Sequence, residues 1–446
     1  MNRRDFLQTA AVTSAFAAIQ PHAFASAGER PHRVALIGCG WYGKTDLFHL
    51  LQVAPVDVVG ICDVDSKMAS GAAELISQRQ TSKKKPPIYG DYRKLLAEQK
   101  PEITLITTPD HWHALPMIAA CEAGSDVYCQ KPISVDVAEG QAMVAAAKRT
   151  SRTVQVGLQR RSTPHLLEAR DRYIVSGRLG KIAFVDIHSY YGGPGAFPPV
   201  EAPPANLDWE MYVGPAPWLD YHPRIHPRSW RDFRNFSNGQ IGDLCIHFFD
   251  VVRYFLDLDW PTTISASGGM LMRRKDSIAT IADTQTALFD FPGVQVVWTQ
   301  RNWGEPADPK YPWGATLYGE KGTLKMSVQS YDFIPHGDGQ PEHGDHLDER
   351  DKFPADLQHR ETELFAAPAT RRHMQDFLAA RREGRLPVSN IEQGHISSAC
   401  CILANLSMDL GRSLQWDAAA GKIIGDDEAN AKLVRPYRAP WTHPRA

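Results

Sequence analysis

A lysine, an aspartate and a histidine carry most of the chemistry this sequence can offer. Lys131 follows the short apolar run Asp126-Val127-Tyr128-Cys129 and Gln130, and Pro132 fixes the chain just after it. Ligands of open α/β sheets gather outside the C-terminal ends of parallel strands, where a lysine can hold a substrate hydroxyl by charge and hydrogen bonds. The second group lies in Asn238-Gly239-Gln240-Ile241-Gly242-Asp243-Leu244-Cys245-Ile246-His247. Ile241, Leu244, Cys245, Phe248, Val252 and Phe255 recur at helical spacing, and Asp243, His247, Asp250 and Tyr254 form a separate polar stripe. Asp243 and His247 therefore project together. A carboxylate beside an imidazole can orient it and raise its basicity, and histidine titrates where a general base is useful. A plain solvent face is the competing reading of such a stripe.

These residues need something to react with, and Val34 to Asp63 supplies it. The run Val34-Ala35-Leu36-Ile37 is too short for a helix and leads into Gly38, Gly40 and Gly43, spaced G-x-G-x-x-G. Gly38 suits a tight strand-to-helix turn, Gly40 a close approach of a pyrophosphate, and Gly43 close packing of helix on strand. The helix start offers free N–H groups and a positive dipole end to phosphates. A second apolar run, Val58 to Cys62, ends at Asp63. Asp63 lies about 20 residues beyond the last glycine, where a carboxylate accepts from an adenosine ribose and disfavours a 2′-phosphate. The expected cofactor is NAD in preference to NADP.

The 446 residues suffice for two or three domains. Lys plus Arg (49) nearly balance Asp plus Glu (51), so there is no basic field for nucleic acid. The seven cysteines form no C-x-x-C pair and lie mostly in apolar runs. They read as buried small hydrophobes, and no metal site is expected. Residues 1–27 have the order of a twin-arginine signal peptide: Arg3-Arg4 before Phe6-Leu7, an Ala-rich stretch, then Ala23-Phe24-Ala25. That route exports folded proteins, so a periplasmic or secreted protein is expected, released and not inserted in the membrane. Away from a nicotinamide pool, the dinucleotide would be held tightly and recycled within each turnover.

Alternating strands and helices from residue 32 to 158 read as a Rossmann domain. Residues 159–446 read as an α/β domain with a large, mostly antiparallel open sheet. Its strands are expected at Thr263–Gly268, Gln285–Phe291, Val294–Arg301, Gly314–Gly319 and Gly322–Ser327. Asn206 to Trp230, dense in Trp, Tyr, Pro and His, reads as a long ordered loop of the functional kind. Trp209, Trp218, Tyr221, His222, His226 and Trp230 could line a sugar site or simply pack. The charged stretch Asp332 to Pro354 reads as loop, and two amphipathic helices close the chain.

The motifs Gly38-Cys39-Gly40-Trp41-Tyr42-Gly43, Thr108-Pro109-Asp110-His111-Trp112-His113, Gln130-Lys131-Pro132 and Asp243-x-x-x-His247 come in an order that resembles the glucose–fructose oxidoreductase / inositol dehydrogenase / MocA family. So does Gly314-Ala315-Thr316-Leu317-Tyr318-Gly319. The closing helices and the exposed strands could support a homo-oligomer, a dimer or a tetramer. The resemblance implies nicotinamide-dependent chemistry on a sugar, glycoside or related polyol. It implies cofactor contacts at Gly38, Gly40, Trp41, Tyr42, Gly43, Asp63, Gln130 and Lys131, and at Thr108, Pro109 and His113 near the nicotinamide. It makes Lys131 the lysine that touches both substrate and cofactor, Asp243 the carboxylate, and His247 the catalytic histidine. Gln130 stands where the family usually has Glu, which removes a charge beside Lys131. Two other functions fit the same residues. One is a redox-neutral glycosidase that oxidises a hydroxyl transiently, eliminates, and restores its NAD. The other is a sugar-binding protein without catalysis.

Overall fold

The computed structural model describes residues 30–192, 196–272, 277–357 and 365–446. The twin-arginine segment falls outside the described residues. The first sheet holds six strands: β1 (His32–Ile37), β2 (Val56–Cys62), β3 (Ile88–Tyr89), β4 (Ile103–Ile106), β5 (Asp126–Cys129) and β6 (Val154–Val156). All its pairings are parallel, and the strand order is β3-β2-β1-β4-β5-β6. The order reverses between β1 and β4, which opens a crevice outside their C-terminal ends. Helices on both faces explain why these strands are continuous apolar runs. Val34, Ala35 and Leu36, for example, are fully buried. Asp65, Asp91 and Asp136 begin three of the helices by accepting hydrogen bonds from backbone N–H groups of the first turn. The helix Trp41–Val53 has no such side-chain cap at Gly40. Its first N–H groups stay available to an anion.

The second sheet has ten strands: β7 (Ile182–Ser189), β8 (Thr263–Gly269), β9 (Thr284–Phe291), β10 (Val294–Arg301), β11 (Trp313–Gly319), β12 (Gly322–Met326), β13 (Ser330–Pro335), β14 (Glu342–Asp345), β15 (Leu414–Asp417) and β16 (Lys422–Ile423). Only β7 and β10 pair in parallel, in the order β14-β13-β12-β11-β7-β10-β9-β8-β15-β16. The Pro292-Gly293 turn joins β9 to β10, with Gly293 at φ +84° as such a turn requires. The loop expected over Asp332–Pro354 is corrected in part, because β13 runs into it and β14 lies within it. Tyr331 and Phe333 are buried as β13 pairs with β12, while β14 forms the polar edge. Edge strands carry charge to discourage further pairing, which hides them from a composition reading. The buried helix Ile391–Leu410 lies against β8 and the helix Val137–Thr150. One apolar core therefore runs through both halves, joining Ile106 and Val156 to Val185 and Phe289.

The polar stripe needs correction too. A π-helical turn, Ile241–Cys245, leads into the α-helix Ile246–Leu256. Asp250 has no exposed surface and takes the Arg161 guanidinium on both oxygens, at 2.7 and 2.8 Å. The stripe is not one surface: Asp243 and His247 border a cleft, and Asp250 is an interior anchor.

Candidate active site

A cleft of about 800 Å³ opens where the β1/β4 crevice meets the second domain. Gly38, Gly40, Trp41, Tyr42, Asp63, Thr108, Pro109, His113, Gln130, Lys131, Asp243 and His247 all border it. Gly43 does not line it and works from beneath. A Cβ there would stand 2.1 Å from the Gly38 carbonyl oxygen, so Gly43 allows the turn to close. Gly38 needs its own freedom, at φ +93° with the Thr107–Thr108 backbone 2.7 Å from any Cβ. Gly40 differs from both. A Cβ there would meet nothing closer than the Met68 sulfur at 3.9 Å, and Gly40 borders the cleft. Its missing side chain leaves room beside the uncapped helix start.

Asp63 is held ready by its neighbours. Its Oδ2 accepts from Cys39 N at 2.7 Å and its Oδ1 from Asp65 N at 2.9 Å. Burial raises its pKa, and those two backbone bonds oppose the rise. The Thr108 hydroxyl is buried with no partner among the described residues. An open glycine, an uncapped helix start, an oriented carboxylate and an orphaned hydroxyl along one cleft fit a dinucleotide.

His113 ties two of the cleft's loops together. Its Nδ1 lies 2.6 Å from the Pro132 carbonyl oxygen and its Nε2 2.9 Å from that of Thr108. Burial pushes its pKa down to about 4 against both carbonyls. A neutral ring donates to only one of them, and its work here is to set the two loops against each other.

Lys131 Nζ donates to Asp243 Oδ1 at 2.7 Å and to the Asp243 carbonyl oxygen at 2.8 Å. Asp243 Oδ2 also lies 3.3 Å from Arg231 Nε. Burial would raise Asp243, but the Lys131 and Arg231 charges outweigh it and hold the carboxyl well below its usual range. The expectation that Asp243 orients His247 is therefore corrected, since Asp243 fixes Lys131 and no Asp243–His247 hydrogen bond occurs. His247 Nδ1 is buried without a partner, and the ring sits edge-on to Trp313 at 5.6 Å. Trp313 is anchored in turn by its Nε1 donating to the Leu244 carbonyl at 3.1 Å. Burial pulls the His247 pKa well down, Lys131 and Arg160 lower it further, and Asp243 only partly opposes them. The imidazole is held neutral.

Gln130 has a use that sequence could not show. Its Nε2 donates to Asp46 Oδ2 at 2.6 Å, and its Oε1 accepts from Lys131 N at 3.3 Å. Asp46 is fully buried on the helix Trp41–Val53. Glu at this position would press two carboxyl groups together, and the amide instead donates to the one already present. The Lys131 charge is balanced by Asp243, not by residue 130. Gln130→Glu should lower the unfolding free energy by about 1–3 kcal/mol at neutral pH, read by urea denaturation. Unchanged stability would show that Asp46 does not need the amide.

The aromatic loop splits between the two roles left open for it. Trp209 stacks on Tyr212 at 4.8 Å inside a local core with Phe233 and Phe236. Trp218 is exposed beneath Arg438, whereas His226 and Trp230 reach the cleft. Among the cleft residues that pattern does not single out are Asp110, Arg160 and Arg231. Asp110 is raised to about 8, chiefly by burial and despite Arg231 and Lys131. It stands inside the Thr108–His113 motif, which was its only signal. Arg231 sits in an aperiodic segment, where nothing marks a tertiary partner. Elsewhere, Asp136, Glu139 and His443 cluster closely enough to suggest ligand geometry. Their carboxylate oxygens accept from Glu139 N, Arg435 N, Val135 N, the Tyr437 hydroxyl and His443, which docks the C-terminal tail.

Fold and cleft together define a two-domain α/β protein built to bind a dinucleotide at the junction with a second, sheet-forming domain. Residues 32–158 match the model of the Gfo/Idh/MocA oxidoreductase family, NAD-binding Rossmann fold, and residues 172–415 match its C-terminal alpha/beta domain. The chain belongs to this family. It is 28% identical over 175 residues to inositol 2-dehydrogenase of Salmonella typhimurium, 39% of this chain and 49% of that one. It is 27% identical over 233 residues to levoglucosan dehydrogenase of Pseudarthrobacter phenanthrenivorans, half of each chain. The match thus spans about half the length of these curated relatives. An Agrobacterium radiobacter oxidoreductase solved with NAD+, L-tartaric acid and magnesium shares the fold, with TM-score 0.65, 17% identity and coverage of 86% of this chain and 98% of that one.

Proposed function

We propose that this protein oxidises or reduces a carbinol of a sugar, glycoside or related polyol using NAD. The observation that carries the reading is that Lys131, Asp243 and His247 meet in one cleft with Gly38, Gly40 and Asp63. Inositol and levoglucosan dehydrogenases among its relatives point to the same substrate class. NAD, when bound, supplies the hydride acceptor or donor. His247, held neutral and bordering the cleft, takes the hydroxyl proton. The Lys131 ammonium, steered by Asp243, stabilises the oxygen as it gains negative charge. Arg231 keeps Asp243 ionised and in place.

Lys131→Met should lower kcat by about 10²–10³-fold. In that background Asp243→Asn should cost less than it does alone, because the two act as a unit. Full additivity of the two losses in kcat would separate their roles.

The proposal extends to location and cofactor handling. Arg3-Arg4 before Phe6-Leu7, with Ala23-Phe24-Ala25 beyond, supports twin-arginine export to the periplasm with the nucleotide already bound. Native purification, denaturation and analysis of the released nucleotide tests this. NAD or NADH in near-equimolar amount is expected, with its redox state changed by incubation with a sugar or glycoside panel. Protein that carries no nucleotide would contradict tight binding. Cleavage of a glycoside with no net change of redox state would move the reading to the redox-neutral glycosidase.

A further inference from the structure

The segment 206–228 belongs to the second domain, yet it docks on the adenosine end of the first. Asp65 and Leu207 form an isolated antiparallel bridge. Ser66 N donates to the Asn206 carbonyl at 2.9 Å, and Asp208 N to that of Val64 at 3.0 Å. Side chains repeat the attachment. Asn206 Nδ2 donates to Asp65 Oδ1 at 2.8 Å, and His226 Nε2 lies 2.9 Å from Asp65 Oδ2. The Asp65 and His226 side chains are only 10% and 12% exposed. The same carboxylate caps the helix Ser66–Arg79 through Lys67 N and Met68 N. Asp65 thus joins three structures: the end of β2, a helix start and the incoming segment.

The clasp sits two residues beyond Asp63, the ribose-binding acid. From it the segment runs along the cleft, which Val64, His226, Pro227 and Arg228 all border. The Arg228 guanidinium then stands 5.3 Å from the ring centre of Trp41, inside the glycine motif. That places a cation over the turn where Gly40 leaves room and the helix start is uncapped.

We propose that the second domain completes the NAD site. The segment 206–228 is its outer wall over the adenosine–diphosphate half. Asp65, Asn206 and His226 clasp that wall, and Arg228 is a ligand of the diphosphate. The inference rests on the reading that NAD binds in this cleft, and it supplies a structural cause for slow release. A dinucleotide that leaves past a docked wall must wait for the clasp to open, and two of its side-chain bonds are made to a carboxylate. Bonds to charged groups are the strong ones, so their loss should change the opening equilibrium by about one to two powers of ten.

The test is the rate at which prebound NAD leaves the full-length protein, followed by exchange with isotopically labelled NAD. His226→Ala and Asn206→Ala should each release NAD about 10- to 100-fold faster than wild type. His226→Gln, which keeps a donor for Asp65, should restore much of the slow release, whereas a merely structural defect would not be rescued. Arg228→Ala should weaken NAD and ADP-ribose alike but leave adenosine binding unchanged, since adenosine has no diphosphate. Equal release rates for wild type, His226→Ala and Asn206→Ala overturn the clasp, and equal loss of adenosine and ADP-ribose overturns the assignment of Arg228. The ratios decide the clasp even if wild type releases NAD quickly, a result that would count only against tight retention. Failure of every form to bind NAD would overturn both the wall and the cofactor reading.

Discussion

His247→Ala is expected to lower kcat by about 10²–10⁴-fold, the usual worth of a positioned general base. NAD affinity should change little, because the proposed adenosine and diphosphate contacts, the glycine turn, Asp63 and Arg228, do not include His247. The residue is suited to this by its surroundings. Burial, then Lys131 and Arg160, depress its pKa, so it is in the base form throughout the neutral range. The acid limb of the kcat/KM profile should therefore lie well below the usual histidine value of about 6.5. Raising the pH through that value should gain nothing. A limb at the ordinary histidine value would show that His247 is not the titrating base. A loss of only a few-fold in His247→Ala, with NAD bound, would move the proton transfer to another group, Asp110 being the nearest candidate by its raised pKa.

The protein should also lose stability steeply as the pH falls from about 6.5 toward about 4. Burial drives the pKa of His111 down to about 3, and those of His49, His113, His165, His373 and His395 to about 4. His247 is lowered well below its ordinary value for the same first reason. A histidine with a depressed folded-state pKa stays neutral where the unfolded chain is protonated. Its contribution is complete above the unfolded value and is lost as the pH drops toward the folded one. Two carboxyls act in the opposite direction. Burial lifts Glu139 to about 7 and Asp110 to about 8, so these hold protons that the unfolded chain has released. Seven histidines against two such carboxyls leave the surplus of protons on the unfolded chain in mid-window, so stability falls with the pH. Urea midpoints should therefore fall sharply between about pH 6.5 and about pH 5. A flat or rising midpoint across that window would contradict the burial of these imidazoles.

The parts of this molecule legible from the sequence are those set by local geometry. The glycine spacing Gly38 to Gly43, the strand run Val34–Ile37 and the acid Asp63 each follow from a turn, a burial pattern or a fixed separation along the chain. The helix carrying Asp243 and His247 was legible for the same reason. What escaped is tertiary. Asp243 was paired with His247 by helical spacing, but its hydrogen-bond partner is Lys131, 112 residues away. Gln130 looked like a lost charge until Asp46, 84 residues distant, explained the amide. Asp250 reads as part of the polar stripe with Asp243 and His247 because nothing in its own helix announces Arg161. β14 was invisible because an edge strand of Glu, His, Gly and Asp lacks the apolar alternation that marks an inner one. His226 stood among six aromatic-loop candidates, and only its 2.9 Å approach to Asp65 distinguishes it from packing residues.

The central claim is that this cleft moves a hydride between a sugar-like carbinol and NAD, and deuterium tests it most directly. The NAD-loaded protein is mixed in a single turnover with sugars, glycosides and polyols deuterated at their ring carbinols, and the nucleotide is recovered for mass analysis. The predicted result is a nicotinamide that has gained deuterium from at least one compound, at a rate cut sharply in His247→Ala. Bound NAD that acquires no deuterium from any member of such a panel would contradict it.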